Sequence, residues 1–211
     1  MTNTDELRIF MVRVGPTLWD EAGRLVGSTD LPLSPKGVEL AAAAAAEASR
    51  EPRLSVILAA RDEASQTAAK TIQAAAGGRI RQSPELHEVD LGLWEGMLRE
   101  EFAEKFPTAC KQWADDPAGV VAPEGESLVM AEERILDELY RALAKAKPAD
   151  GPIALALRPM AYTLMRLALD NELKSAFCRE MTQAPVTEWR LVTRARLKEM
   201  RDRAASVTVR A

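Results

Sequence analysis

Ile153-Ala154-Leu155-Ala156-Leu157 is an unbroken apolar run that stops at Arg158-Pro159. A run of this length, with no polar alternation, reads as a strand buried on both faces, as in a parallel sheet covered by helices. Two further runs share the pattern. Arg8-Ile9-Phe10-Met11-Val12 is followed by a Gly15-Pro16 turn, and Ser55-Val56-Ile57-Leu58-Ala59-Ala60 is again continuously apolar. Gly78 to Gln82 adds a short strand, and the more alternating Thr187 to Thr193 suits an edge.

Helical stretches separate these runs. Ser34 and Pro35 make a good helix start, because serine caps free N–H groups and proline suits the first position. Ala41 to Ala46, the strongest helix formers, continue it. A helix from about Asp62 to Ala76 is stopped by Gly77-Gly78. Leu98 to Trp113 reads as helical with a break at Pro107. Ser127 caps a helix running to about Lys147, with Leu128, Ala131, Ile135, Leu139 and Ala142 on one face. Its acids Glu132 and Glu133 come early, and Lys145 and Lys147 late, as the helix dipole prefers. Another helix follows Arg158 through Leu169. The tail, 196–211, is helical or frayed. Thr17 to Leu33 reads as a long functional loop without regular structure.

Alternation of strand and helix, with continuously apolar strands, gives an α/β fold: a three-layer α/β/α sandwich around a mostly parallel sheet. No internal repeat and no long Pro/Gly/Ser linker divides residues 1–211, so one domain is expected. In such folds ligands sit beyond the carboxyl ends of the strands. Those ends fall at Arg13-Val14, at Ala60 to Glu63 and at Arg158.

Composition narrows the chemistry. The chain has 211 residues, a formal net charge of −4 and one histidine, His87. A site built on two histidines, or a multi-histidine metal cluster, is excluded within this chain. No metal or other cofactor is expected. Neither charge sign forms a long block, which argues against nucleic-acid binding. The two cysteines, Cys110 and Cys178, have no CxxC partner, and reduced thiols in a cytoplasmic protein are the plain expectation. No basic segment leads into a long apolar run, so neither a signal peptide nor a membrane span is expected.

Five ordered segments carry a resemblance. Arg13-Val14-Gly15-Pro16-Thr17-Leu18-Trp19-Asp20 is followed by Gly23-Arg24, Gly27, Asp30, Pro32-Leu33 and Gly37. Glu63-Ala64-Ser65-Gln66-Thr67-Ala68 comes next, then Leu86-His87-Glu88-Val89-Asp90-Leu91-Gly92-Leu93-Trp94-Glu95-Gly96. Gly125-Glu126-Ser127 and Leu157-Arg158-Pro159 complete the series. Together, over about residues 8–195, they resemble the histidine phosphatase superfamily, the phosphoglycerate-mutase-like clan. The resemblance implies a phosphoryl-accepting histidine in the first motif, two arginines and a second histidine around the phosphate, an asparagine donor, and an acid that protonates the leaving group. Such chemistry needs an attacking nitrogen and preorganised positive charge.

This chain departs at most of those places. The resemblance puts Val14 at the nucleophile, Arg158 at the second histidine, Glu63 at the second arginine and Asp20 at the asparagine. Arg13 and Glu88 alone keep the first arginine and the proton donor. Two cations then face three anions, a formal −1 where the family pattern is formally +1. At about 4 Å and an effective dielectric near 20, each like-charge contact costs a phosphate roughly 4 kcal/mol. That equals the whole depth of millimolar binding, about 4 kcal/mol.

The substitutes are few. His87 neighbours Glu88, and on an extended segment adjacent side chains face opposite ways, so Glu88 facing the site turns His87 away. Thr17 and Ser28 lie in the first loop, with no base evident to activate them. Cys110 and Cys178 lie outside the motifs. Trp19 and Trp94 read as packing residues, Glu126 as a loop-backbone acceptor, and the motif glycines as turn and close-approach positions.

The leading expectation is a pseudoenzyme: a catalytically inactive member with Arg13, Val14, Asp20, Glu63, Glu88 and Arg158 as degenerate site positions. It would serve as a binding or interaction protein for a protein partner or a small-molecule ligand. In that form Arg13, Arg158, Glu63 and Asp20 close into an ion-pair network. The alternative is a small-molecule anion or zwitterion binder, a carboxylate bridging Arg13 and Arg158 while its amine meets Glu63. The third is a phosphatase or mutase with atypical chemistry. The resemblance also leans to a homodimer.

Overall fold

The structure, a computed structural model, describes residues 6–172 and 174–208. Its sheet has five strands: β1 (Glu6–Arg13), β2 (Val56–Ala59), β3 (Arg79–Gln82), β4 (Ile153–Leu157) and β5 (Thr187–Thr193). They lie in the order β3-β2-β4-β1-β5. β1, β2, β3 and β4 run parallel, and β5 pairs antiparallel with β1 at the edge.

Residue size on each strand sets how the two helical layers pack. Leu7, Ile9 and Met11 of β1, with Ile153, Leu155 and Leu157 of β4, join one core. Phe10 and Val12, with the small Ala154, Ala156 and Ala59, join the other. The first face is covered by α6 (Leu128–Leu143), α7 (Pro159–Asp170) and α9 (Arg194–Thr208), and α8 (Phe177–Gln183) adds Phe177 to the same core. The second is covered by α2 (Pro35–Ala48) and α3 (Glu63–Ala76), whose buried residues are mostly alanine. Small residues on both sides of that interface let helix and sheet approach closely. Ser34, Asp62 and Ser127 cap α2, α3 and α6 through their side-chain oxygens.

Two expectations about local structure are corrected. The loop from Thr17 to Leu33 contains a four-residue helix, α1 (Leu18–Glu21). Thr17 caps it, and Asp20 returns the bond, so a capping box folds what composition alone marks as irregular. The helix expected to reach Lys147 ends at Leu143, the last fully buried residue of its apolar face. The Leu98–Trp113 stretch does break at Pro107, into α4 (Arg99–Lys105) and α5 (Pro107–Asp115). The tail is helical as far as Thr208, and its end, 209–211, lies outside the described residues.

Topology places the site. β1 and β4 are parallel neighbours, with Arg13 paired to Leu157. The chain leaves β1 toward α2 on one face and leaves β4 into α7 on the other. Departing to opposite faces opens a crevice between the two strand ends, the topological switch point where α/β folds bind ligands. Val14 and Arg158 stand side by side there, and the Val14 N–H donates to the Leu157 carbonyl at 2.8 Å.

Candidate functional site

Beyond the switch point lies a cavity of about 440 Å³. Such a volume falls in the range of small-molecule sites, roughly 300–1,000 Å³. Trp94, Phe102, Trp113, Met160, Phe177 and Met181 give it an apolar wall. Asp20, Arg24, Glu88, Arg99 and Arg158 supply the charge. Cys110 and Cys178, far apart in sequence and outside the motifs, both line it as free thiols. Burial pushes the Cys178 thiol up, and it donates to the Trp113 carbonyl at 3.3 Å.

Arg158 occupies the N-cap position of α7, and its side chain cannot cap a helix. Glu88 takes over that task. One carboxylate oxygen accepts from Val89 at 3.0 Å and Ala161 at 2.8 Å, and the other accepts from Met160 at 2.8 Å. Three free N–H groups are thus satisfied from the loop after β3, two of them in the first turn of α7. Glu88 is buried, and desolvation holds its carboxyl above the ordinary range, against the charge of Arg158 and the three N–H donors.

Arg158 itself is 3% exposed. Its nearest anion is Asp20, 3.6 Å from Nη2, and among the described residues its guanidinium makes no hydrogen bond. Asp20 is engaged elsewhere, accepting from the Thr17 N–H at 2.7 Å and hydroxyl at 2.8 Å. A buried guanidinium with unfilled donors, facing a cavity, is an unusual expense in a folded core.

The other degenerate positions behave differently. Val14 is 2% exposed and packs into the core beneath α2. Glu63 is exposed at the start of α3 and makes no ion pair among the described residues. Arg13 donates to the Met181 carbonyl at 3.1 Å. The four-residue closed network is therefore corrected to a single long pair, Arg158 with Asp20. The formal charge is corrected as well: three arginines face two acids around the cavity, because Glu63 points to solvent and Arg24 and Arg99 join. Nor can a ligand amine meet Glu63 in this cavity.

His87 is half-buried with Nδ1 2.7 Å from the Glu88 carbonyl, and it does not line the cavity. The expectation that no base meets Thr17 is overturned by its bond to Asp20, yet Thr17 is fully buried and lines no part of the cavity. Ser28 likewise donates to Glu95, at 3.0 Å. Trp19 packs on Gly96, while Trp94 both packs against Phe102 and Phe106 and lines the cavity. Glu126 accepts from the Asp90 N–H at 3.0 Å, the loop role expected of it.

Arg134 is a site residue that sequence reading missed. It donates to the carbonyls of Glu85, His87 and Glu88 and pairs with Glu126, so it holds the segment that carries Glu88. Its only sequence signal was its place nearly two turns into α6, on the flank of the apolar stripe. Arg24 sat within a motif but carried no assigned role, and it donates to the Gly96 carbonyl at 2.6 Å.

The strand order, the switch-point cavity and the acid capping α7 define an α/β protein of phosphoglycerate-mutase-like architecture. The chain belongs to the histidine phosphatase superfamily (branch 1), whose family model matches residues 9–202. It is 33% identical over 129 residues to phosphoserine phosphatase 1 of Hydrogenobacter thermophilus, a match covering 61% of each chain. It is 29% identical over 169 residues to the Yersinia pestis protein named "Probable phosphoglycerate mutase GpmB", covering 79% of this chain and 78% of that one. Among solved structures, mycobacterial glucosyl-3-phosphoglycerate phosphatase in complex with VO3 superposes with a TM-score of 0.72. That match has 24% identity and covers 89% of this chain and 98% of the other, a likeness of fold. No helix among the described residues is long and apolar enough to cross a membrane.

Proposed function

We propose that this chain has lost phosphohistidine chemistry and uses the switch-point cavity to bind a small anionic molecule. The carrying observation is the pair at the ends of β1 and β4. Val14, buried and without a lone pair, stands where the resemblance puts the nucleophile. Arg158, buried with unfilled donors, stands where it puts the second histidine. A chain that only had to keep its fold would gain little from that guanidinium, because desolvation offsets a single long ion pair.

The names of the relatives favour a phosphatase. A phosphatase here would need another nucleophile, and the nearby hydroxyls of Thr17 and Ser28 are committed to Asp20 and Glu95. Glu88, the proton donor in that scheme, has both oxygens occupied by backbone N–H groups. Binding without turnover fits these contacts better.

The test is turnover of a generic aryl phosphate by wild type, Glu88→Gln and Arg158→Met, beside thermal shifts with small anions. No turnover, and an anion-dependent shift lost in Arg158→Met, is expected. Turnover that both variants abolish would overturn the proposal. A ligand at 100 times its dissociation constant should add about 2.7 kcal/mol of stability.

A further inference from the structure

We infer that the cavity takes an amphipathic monocarboxylate, its carboxylate on Arg158 and its apolar body along the wall formed by Trp94, Phe102, Trp113 and Phe177. The inference rests on the anion-binding reading above and adds the class of ligand.

The donors decide between carboxylate and phosphate. A phosphoryl group offers three oxygens and, near neutral pH, close to two charges, and it needs several donors converging on it. This cavity withholds them. The first-turn N–H groups of α7, the natural anion site of a helix N-terminus, are taken by Glu88 at 2.8 Å. Arg13 is drawn off to the Met181 carbonyl and Arg24 to the Gly96 carbonyl. Arg99 is exposed. One buried guanidinium remains, with the Asp20 carboxylate 3.6 Å away and Glu88 beside it. A dianion would meet one buried fork, the exposed Arg99 and two acids. A monocarboxylate matches that fork in plane and in charge.

The wall decides the body. Aromatic and thioether side chains dominate the rest of the lining, so a fully polar ligand would leave that surface unmatched.

The test uses the full chain and titrates intrinsic tryptophan fluorescence and heat. The probes are 4-phenylbutyrate, 4-oxo-4-phenylbutyrate, phenyl phosphate, inorganic phosphate and 4-phenylbutanol. The carboxylates are expected to bind at least ~10-fold tighter than phenyl phosphate and the neutral alcohol, a difference readily resolved in Kd. Arg158→Met should remove that preference, and Arg158→Lys should restore part of it, since lysine keeps the charge without the fork. Phenyl phosphate binding as tightly as the carboxylates, without turnover, would overturn the monocarboxylate and leave the anion site standing. Phenyl phosphate turnover abolished by Arg158→Met would overturn the anion-binding reading itself. Binding of the alcohol as tight as the acids would also overturn the inference, by removing Arg158 from recognition. Circular dichroism of each variant establishes that a lost signal is not lost fold.

Discussion

Replacing Arg158 by Met asks whether the guanidinium serves the fold or a ligand. The Coulomb attraction to Asp20 at 3.6 Å is about 4–5 kcal/mol at an effective dielectric near 20. Burying the guanidinium costs several kcal/mol, so the two nearly cancel. Asp20 is not stranded by the change, because its side chain is 24% exposed and Thr17 donates to it twice. Met keeps most of the buried volume and removes the unfilled donors. Stability should therefore shift by no more than about 1 kcal/mol, in either direction, whereas breaking an integrated buried pair costs about 3–5 kcal/mol. Urea unfolding of both proteins measures the difference, with equal slopes showing that the unfolding transition is the same. A loss above about 3 kcal/mol at unchanged slope would refute the reasoning and make Arg158 a structural residue.

Glu88 makes stability depend on pH. Its folded carboxyl titrates above its ordinary value of 4.5, so the folded state holds the proton more tightly than the unfolded. The associated stability is present at acid pH and is lost as pH rises from about 4.5 through the raised value. Urea unfolding over that window should show this decline in wild type and not in Glu88→Gln, and parallel profiles would refute it. Arg134→Ala frees three carbonyls and Glu126, and thermal melts should report a loss of about 2–4 kcal/mol; a change under about 0.5 kcal/mol would remove its holding role. Cys178, with its thiol pushed up by burial, should alkylate more slowly than an unhindered thiol in time-resolved mass spectrometry, and an equal rate would contradict its placement. Gly37→Ala should destabilise despite alanine's advantage of about 1 kcal/mol in a helix, because the added Cβ would lie 2.3 Å from the Pro16 carbonyl oxygen. A gain in melting temperature would show that the loop gives way.

Much of the scaffold was legible. The runs at Ile153–Leu157 and Thr187–Thr193 match β4 and β5 residue for residue, because burial on both faces or on one is written directly in apolar patterning. Ser34, Asp62 and Ser127 mark helix starts for an equally local reason: each satisfies an N–H three residues on. α1 was less legible, since its capping box involves only Thr17 and Asp20 in a charged stretch. The end of α6 was overrun, because Lys145 and Lys147 suit a helix terminus whether or not the core still needs one.

The site divides along the same line. Sequence by itself determined what stands at each strand end: valine at 14, arginine at 158, and one histidine in the whole chain, His87, at neither position. Residue identity alone settles whether a lone pair is present. Only the tertiary structure decided the charge and shape of the cavity. Glu63 turned out to solvent, Arg13 reached across to Met181, and Arg24, Arg99 and two distant cysteines came in. Most of all, Glu88 occupied the N–H groups of α7 from a loop more than 70 residues earlier in the chain. Strand and cap signals are local, and they survive in a one-dimensional reading. Which donors remain free for a ligand depends on the packing of segments far apart in sequence, and that exists only in the folded chain.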